Sequence, residues 1–470
     1  MDAFADYRAA LGDSCVLTGE DTVRWQSDWT GQYRAVPLAV LRPGSTEEVS
    51  ACLRIASQHG HAVVPASGLT GLNGATITDS GIILSLDRMN KVLEIRPEAR
   101  IAIVEAGAIL ANVHDAAEAQ DLVFPLTFGA KGSACIGGCL GTNAGGSNVL
   151  RYGNTRDLVL GIEVVLADGQ VMNLMSELHK DNSGYNLKHL MIGSEGTLGI
   201  ITKAVLKLVP KPKAVASAMV AAKSLDDALT LLNRLQIDTG GKVEAFEYMP
   251  REYFDTLMQI KPGTREPFES KYETNIFVEV ASTMPGDAML DETGAVPLVE
   301  NFQALLMDLL EEGALLDAVV AQNEAERREM WARREAAAEV QMHHRPLLVN
   351  DIALPLDKVS TFLTRAAQRL AAFDAIIENK TVCHLGDGNI HYVQWLHPDK
   401  ADQKNAIMEA VEDLVLQFGG SFSAEHGIGV SKLPSMTRRK DKVALAAMHA
   451  VKSALDPQGI LNPGKLLPAP

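Results

Sequence analysis

Apolar and polar positions change period several times along the chain. After Arg42-Pro43-Gly44, Ser45 and Glu48 stand at capping-box spacing, and Val49, Leu53 and Ile55 follow with helical periodicity. A short apolar run at 61–64, a loop of small residues at 65–74 and a second apolar run at 82–86 predict the order strand, glycine loop, strand. Further on, apolar strands alternate with amphipathic helices over 214–221, 225–235, 242–248, 275–280, 299–310 and 315–322. That alternation predicts an α+β domain, an antiparallel sheet covered by helices. A helix is expected over 324–342, and another through Ile407 and Leu414 leads to a glycine-rich segment at 419–429.

The 470 residues suffice for two or more domains, and the glycines divide them. About half of the 38 glycines lie between Gly60 and Gly199, whereas 210–378 is glycine-poor. A seam is expected at 209–213, where Pro210 and Pro212 interrupt any regular element.

Composition narrows the chemistry. A net charge of -16 repels polyanions, which disfavours nucleic acid and anionic membrane surfaces as partners. An anionic substrate then needs a local cation, an arginine or a metal, acting against the global field. The cysteines, Cys15, Cys52, Cys135, Cys139 and Cys383, are odd in number and contain no CxxC, which suggests a reducing compartment. With an acidic N-terminus and no apolar run long enough to span a bilayer, a cytoplasmic protein is expected.

Three glycine-rich segments, 68–74, 137–146 and 193–199, allow backbone N–H groups to converge on an anion such as a pyrophosphate. None holds a complete GxGxxG and no Walker motif occurs, so a Rossmann site is disfavoured. The ordered series Arg42-Pro43-Gly44-Ser45, Pro65-Ala66-Ser67-Gly68-Leu69-Thr70-Gly71, Gly137-Gly138 to Gly145-Gly146, Tyr152-Gly153-Asn154 and Gly193-Ser194-Glu195-Gly196-Thr197-Leu198-Gly199 resembles the vanillyl-alcohol-oxidase-like FAD-binding domain. The resemblance implies that FAD is held by Pro65, Ser67, Gly68, Leu69, Thr70, Gly71, Leu72, Gly138, Gly141, Thr142, Asn143, Gly145, Gly146, Gly196, Ile200 and Asn462. Members that tether the flavin through the first loop carry a histidine near the place of Leu69, so non-covalent FAD is implied.

In the second half, Cys383-His384-Leu385-Gly386-Asp387-Gly388-Asn389-Ile390-His391 places two histidines about a Gly-Asp-Gly-Asn turn. If strands flank that turn, both imidazoles can converge on one ion, and Glu425-His426 downstream adds a carboxylate and a further imidazole. Two histidines and one carboxylate make an open divalent site, zinc first, with manganese or iron as alternatives. These segments, with the ending Leu455-Asp456-Pro457 to Gly464-Lys465, resemble the FAD-linked oxidase C-terminal domain of D-lactate dehydrogenases, glycolate oxidase catalytic subunits and D-2-hydroxyglutarate dehydrogenases.

That resemblance implies metal ligands at His384, His391 and Glu425, a catalytic base at His426 and Asn389 near the substrate. Trp331-Ala332-Arg333-Arg334 is similar to the family's Trp-x-x-Arg, which places Arg334 on the substrate carboxylate and leaves Arg333 on a solvated helix face. It also implies an FAD-binding domain over 1–212, a substrate- and metal-binding cap over 213–425 and a segment, 426–470, returning to the FAD domain. Two departures stand out: Ala338 and Val349 occupy places where D-2-hydroxyglutarate enzymes hold a second carboxylate with threonine and lysine. A smaller or more apolar substrate side chain is suggested, unless His343, His344 or Arg345 compensates.

The expected activity is FAD-dependent, metal-assisted oxidation of a D-2-hydroxy acid to the 2-oxo acid, with an electron-transfer flavoprotein, quinone or cytochrome as acceptor and a homodimer as assembly. The rivals are a flavin-dependent ether-lipid synthase of the same architecture, a non-catalytic flavin subunit of an electron-transfer complex, and a flavin-free metal-dependent hydrolase.

Overall fold

The computed structural model describes residues 3–292 and 294–469. They divide into two compact units, one built from Met1–Gly145, Gly153–Pro210 and Glu425–Pro470, the other from Gly146–Tyr152 and Lys211–Ala424.

In the first unit, Ser45 caps the helix Thr46–His59 by accepting from the Glu48 N–H at 3.2 Å. The reciprocal half of the capping box is shifted: Glu48 Oε2 accepts from the Gly44 N–H at 2.6 Å rather than from the cap residue itself. Val49 and Leu53 are buried while Ile55 only flanks the core. The strands Ala39–Leu41, Ile82–Ser85 and Val63–Ala66 are neighbours and run parallel. Parallel pairing forces the intervening chain to cross back over the sheet end, so the first glycine loop is a crossover and not a hairpin. The strand at 61–64 begins later than expected, at Val63. Its N–H bonds the Ile460 carbonyl at 2.7 Å and its carbonyl accepts from the Asn462 N–H at 2.8 Å, which pins the C-terminal segment alongside. An antiparallel sheet of Val92–Arg96, Ile101–Glu105, Ile200–Lys207, Val159–Val165 and Val171–Leu174 completes the unit.

The second unit is an antiparallel sheet in the order Asp317–Val320, Ala214–Ala222, Thr274–Ser282, Val243–Pro250, Val382–His384, Asn389–Leu396, Leu347–Ala353. Side chains alternate across it. Ala218, Val220, Phe246, Val278, Cys383, Ile390 and Ile352 face the helices Leu225–Asp238, Pro297–Glu311, Val359–Leu370 and Lys404–Gln417. Met219, Ala245, Phe277 and Val382 face Arg251–Ile260 and the pair Glu324–Glu335 and Ala337–Gln341. The single helix expected over 324–342 is therefore two, divided at Ala336. The short helix Val149–Tyr152 joins this unit because Arg151 and Tyr152 both donate to the buried carboxylate of Glu244, at 2.8 and 2.5 Å.

Candidate active site

The hairpin Val382–His384 and Asn389–Leu396 forms around the Gly-Asp-Gly-Asn turn. Its register pairs His384 with Asn389 and Val382 with His391, so both histidines and Asn389 lie on one face. The imidazole centroids are 5.2 Å apart. Gly388 makes the turn possible: it sits at φ +82°, and a Cβ there would come within 2.2 Å of the Leu354 carbonyl oxygen. The same face receives Glu247, paired with His384, and Asp351, paired with His391.

Arg334 reaches this face from the helix Glu324–Glu335. Trp331, one turn earlier, packs edge-on against Phe277 at 4.7 Å and donates its indole N–H to Glu279 at 2.8 Å, so the helix is locked in rotation. Arg334 Nε then donates to Glu247 Oε2 at 2.6 Å, and His384 Nδ1 lies 2.8 Å from Glu247 Oε1. Glu247 is 1% exposed. Burial alone would raise its pKa, but the charges and hydrogen bonds of His384 and Arg334 overcome this and hold it down to about 2. An ionised carboxylate is an acceptor only, so Nδ1 of His384 carries the proton of that bond. Arg334 Nη2 lies 3.4 and 3.3 Å from the two ring nitrogens of His384.

His391 Nδ1 lies 3.8 Å from Asp351 Oδ1. Asn389 Nδ2 donates to that same oxygen at 2.9 Å and to the Ile352 carbonyl at 3.1 Å, while its buried Oδ1 has no partner among the described residues. In the turn, burial pushes Asp387 up to about 6, against the lowering charge of His384. Arg333 departs from the solvated role expected for it: it is 7% exposed, donating to Glu329 at 2.8 Å and to the Arg265 carbonyl at 3.2 Å.

The remaining candidates belong to the first unit, except Gly146, which opens the short stretch that joins the second. Leu69, Asn143, Glu195 and Asn462 all have positive φ, between 40° and 54°. Such backbone is costly for a side chain of any bulk, and the first three of these residues lie one in each glycine-rich segment. Gly71 and Gly141 face open space, where an added Cβ would find no atom closer than 3.9 Å, so packing does not require glycine there. Gly196 differs, because a Cβ would meet Pro65 at 2.3 Å. Ile200 packs its side chain into the core, which leaves only its backbone for a ligand. Glu425 and His426 begin the C-terminal stretch of this unit, and the His426 carbonyl accepts from Asn73 Nδ2 at 2.7 Å.

Residues 211–466 match the family described as FAD linked oxidases, C-terminal domain, and residues 37–175 match the FAD binding domain. The chain belongs to the FAD-linked oxidases. A D-2-hydroxyglutarate dehydrogenase of Xanthomonas citri pv. viticola is 36% identical over 455 residues, covering 95% of this chain and 92% of the relative. The mitochondrial enzyme of that name from Arabidopsis thaliana is 33% identical, covering 98% and 81%. In fold, this FAD-linked oxidase is similar to p-cresol methylhydroxylase, with a TM-score of 0.74, 17% identity and coverage of 98% and 96%. Alkyldihydroxyacetonephosphate synthase shares the architecture at a TM-score of 0.71 and 17% identity, covering 98% and 84%.

The residues fit FAD. Beside the open glycines, Asn462 is buried with Nδ2 donating to the Glu195 carbonyl at 2.7 Å, while its Oδ1 has no partner among the described residues. On the sheet face, the His391 imidazole and the Asp351 carboxylate are among the groups that could hold a divalent ion. Sequence reasoning did not single out Glu247 and Asp351, although each is a buried acid on a mostly apolar strand.

Proposed function

We propose that this FAD-linked oxidase is a D-2-hydroxy-acid dehydrogenase in which Arg334 pairs with the substrate carboxylate, His384, His391 and Glu425 hold a divalent metal, and His426 removes the hydroxyl proton. The observation that carries the reading is the sheet face on which Arg334, His384, His391 and Asn389 meet two buried carboxylates. Bound FAD supplies the hydride acceptor for the α-carbon, and a bound zinc, manganese or iron ion supplies a Lewis acid for the 2-hydroxyl.

Glu247 neutralises Arg334 and keeps it oriented, so selectivity for a carboxylate comes from the direction of its donor fork as well as from its charge. Asn389 lies on the same face, its amide donating to Asp351. His426 would take the hydroxyl proton, and loss of that proton together with the α-hydrogen as hydride leaves the 2-oxo acid.

The substrate side chain is short or apolar. Val349 is 44% exposed on the site face and Ala338 is exposed on its helix, and neither can pair with a distal carboxylate. His343, His344 and Arg345 stand farther along the chain from Asp351 than Val349 does. They precede Leu347, which lies four strand residues, about 13 Å, from Asp351, and His344 is stacked on Trp395 with Nε2 3.0 Å from the Leu396 carbonyl.

Anaerobic titration of the flavin with D- and L-lactate, malate and 2-hydroxyglutarate, before and after chelation, tests the reading. D-isomers alone should bleach the flavin, chelation should abolish bleaching, and D-lactate should outrank D-2-hydroxyglutarate. Bleaching by L-isomers or indifference to chelation sinks the mechanism, and a preference for D-2-hydroxyglutarate sinks only the side-chain inference. Cytoplasmic residence rests on the five cysteines, all buried and unpaired, and cell fractionation tests it. No helix among the described residues is long and apolar enough to cross a membrane. Assays with electron-transfer flavoprotein, quinone or cytochrome identify the acceptor, and sedimentation tests for a homodimer.

A further inference from the structure

The three glycine-rich segments and the turn carrying His426 meet at two side chains. Glu195, in the third segment, donates its N–H to the Gly141 carbonyl of the second at 2.8 Å. Its carboxylate accepts the N–H groups of Ile428 and Gly429 at 2.7 and 2.8 Å. Asn73, at the end of the first loop, donates Nδ2 to the His426 carbonyl at 2.7 Å and approaches Glu195 Oε2 at 3.5 Å. The Asn73 backbone carbonyl accepts from Val430 and Ser431, at 2.9 and 3.2 Å. Both side chains are buried, at 3% and 6% exposure.

The turn is shaped to receive them. Gly427 and Gly429 have φ of +75° and +50°. A Cβ on Gly427 would come within 2.7 Å of Glu195 Oε1, and one on Gly429 within 2.3 Å of the Asn73 carbonyl oxygen. A turn with two glycines has little rigidity of its own, because glycine loses more conformational freedom on ordering than any other residue. Hydrogen bonds at the histidine's own carbonyl and at the amides two and three residues on constrain the turn.

We propose that Asn73 and Glu195 are positioning residues that clamp the His426 turn to the loop holding the flavin, so that one loop sets both the cofactor and the base. The inference rests on the reading of His426 as the base. General-base transfer needs the imidazole within hydrogen-bond reach of the hydroxyl, and a displacement of about 1 Å can cost about 100-fold in rate. Neither residue needs to touch the substrate to have this effect. Asn73 has a second function from which the clamp must be separated, since its Oδ1 accepts from the Ala75 N–H at 3.2 Å and shapes the loop locally.

The test compares Asn73→Ala, which loses both contacts, with Asn73→Asp, which keeps the acceptor for Ala75 and loses the donor to His426, and includes Glu195→Gln and His426→Ala. Each holoenzyme is read by its flavin spectrum, by hydrogen exchange at the Ile428 and Gly429 amides, and by single-turnover flavin reduction resolved into substrate Kd and limiting rate across pH.

The clamp requires both Asn73 variants to retain FAD and bind substrate within about threefold, while exchange at those amides rises and the limiting rate falls at least tenfold. Glu195→Gln should do the same. If Asn73→Asp reduces flavin as fast as the unaltered protein, local loop shape is the only function of Asn73 and the clamp is wrong. Faster exchange with an unchanged limiting rate overturns it equally. If His426→Ala keeps its rate, the base reading falls, and the exchange data still report whether the clamp holds the turn.

Discussion

At the scale of single residues, the buried carboxylate of Glu247 decides most of the local chemistry. It holds Arg334 and His384 by hydrogen bonds, so with His384 as the metal ligand proposed above, Glu247→Gln should lower metal affinity about 10- to 100-fold, measured by titration with a metal indicator. Acid titration gives a second check. The folded pKa near 2 lies below the ordinary 4.5, so the stability Glu247 contributes is complete above about pH 4.5 and is lost as pH falls through 2. The melting temperature of the unaltered protein should therefore fall more steeply over that window than that of Glu247→Gln. Substrate choice is also a residue-scale matter. The double change Ala338→Thr and Val349→Lys should raise kcat/KM for D-2-hydroxyglutarate relative to D-lactate about tenfold, the size of one added charged hydrogen bond, as read from competing steady-state assays. Ala338 and Val349 were legible as departures without coordinates, because what a methyl or isopropyl group cannot bind follows from its chemistry alone. Arg333 was not, because an arginine on a charged helix reads as solvated until the tertiary fold buries it beside the Arg265 carbonyl.

Elements carry information that single residues do not. The hairpin puts His384 and His391 on one face only because the turn between them has the right length, and Gly388 is the residue that permits it. Gly388→Ala should leave the flavin spectrum intact and weaken metal binding at least tenfold, since the strained turn tilts one strand against the other. In the FAD-binding unit, Ser45→Ala removes a helix cap and should cost about 1 kcal/mol, seen as a lower urea midpoint for that unit. Elements of this kind were largely readable from periodicity. The helix Thr46–His59, the strands Ala214–Ala222 and Thr274–Ser282 and the helix Pro297–Glu311 lie within a few residues of the runs that predict them. The division of 324–342 at Ala336 was hidden, because Glu-Ala-Arg-rich sequence favours helix on both sides of it.

For the whole molecule the decisive quantity is charge. At -16 the summed field opposes an approaching 2-hydroxy acid. Screening should raise the association rate, about two- to threefold between 10 and 200 mM salt, where the Debye length falls from about 30 Å to below 8 Å. Stopped-flow binding to the oxidised enzyme measures this, and a rate that falls with salt would show that a local cation governs capture. Net charge, the seam near Pro210, the two-domain α+β plan and the two-histidine turn all follow from the sequence by itself, because each depends on composition or on neighbours close along the chain. The partners that make the site depend on strand order and on the return of the C-terminal segment. Glu247 and His384 are 137 residues apart, and Asn73 and His426 are 353 apart. Periodicity ends at the boundaries of an element, so it names the side of a strand that faces inward and is silent on which strand lies beside it. Only the folded sheet brought the carboxylates to the histidines.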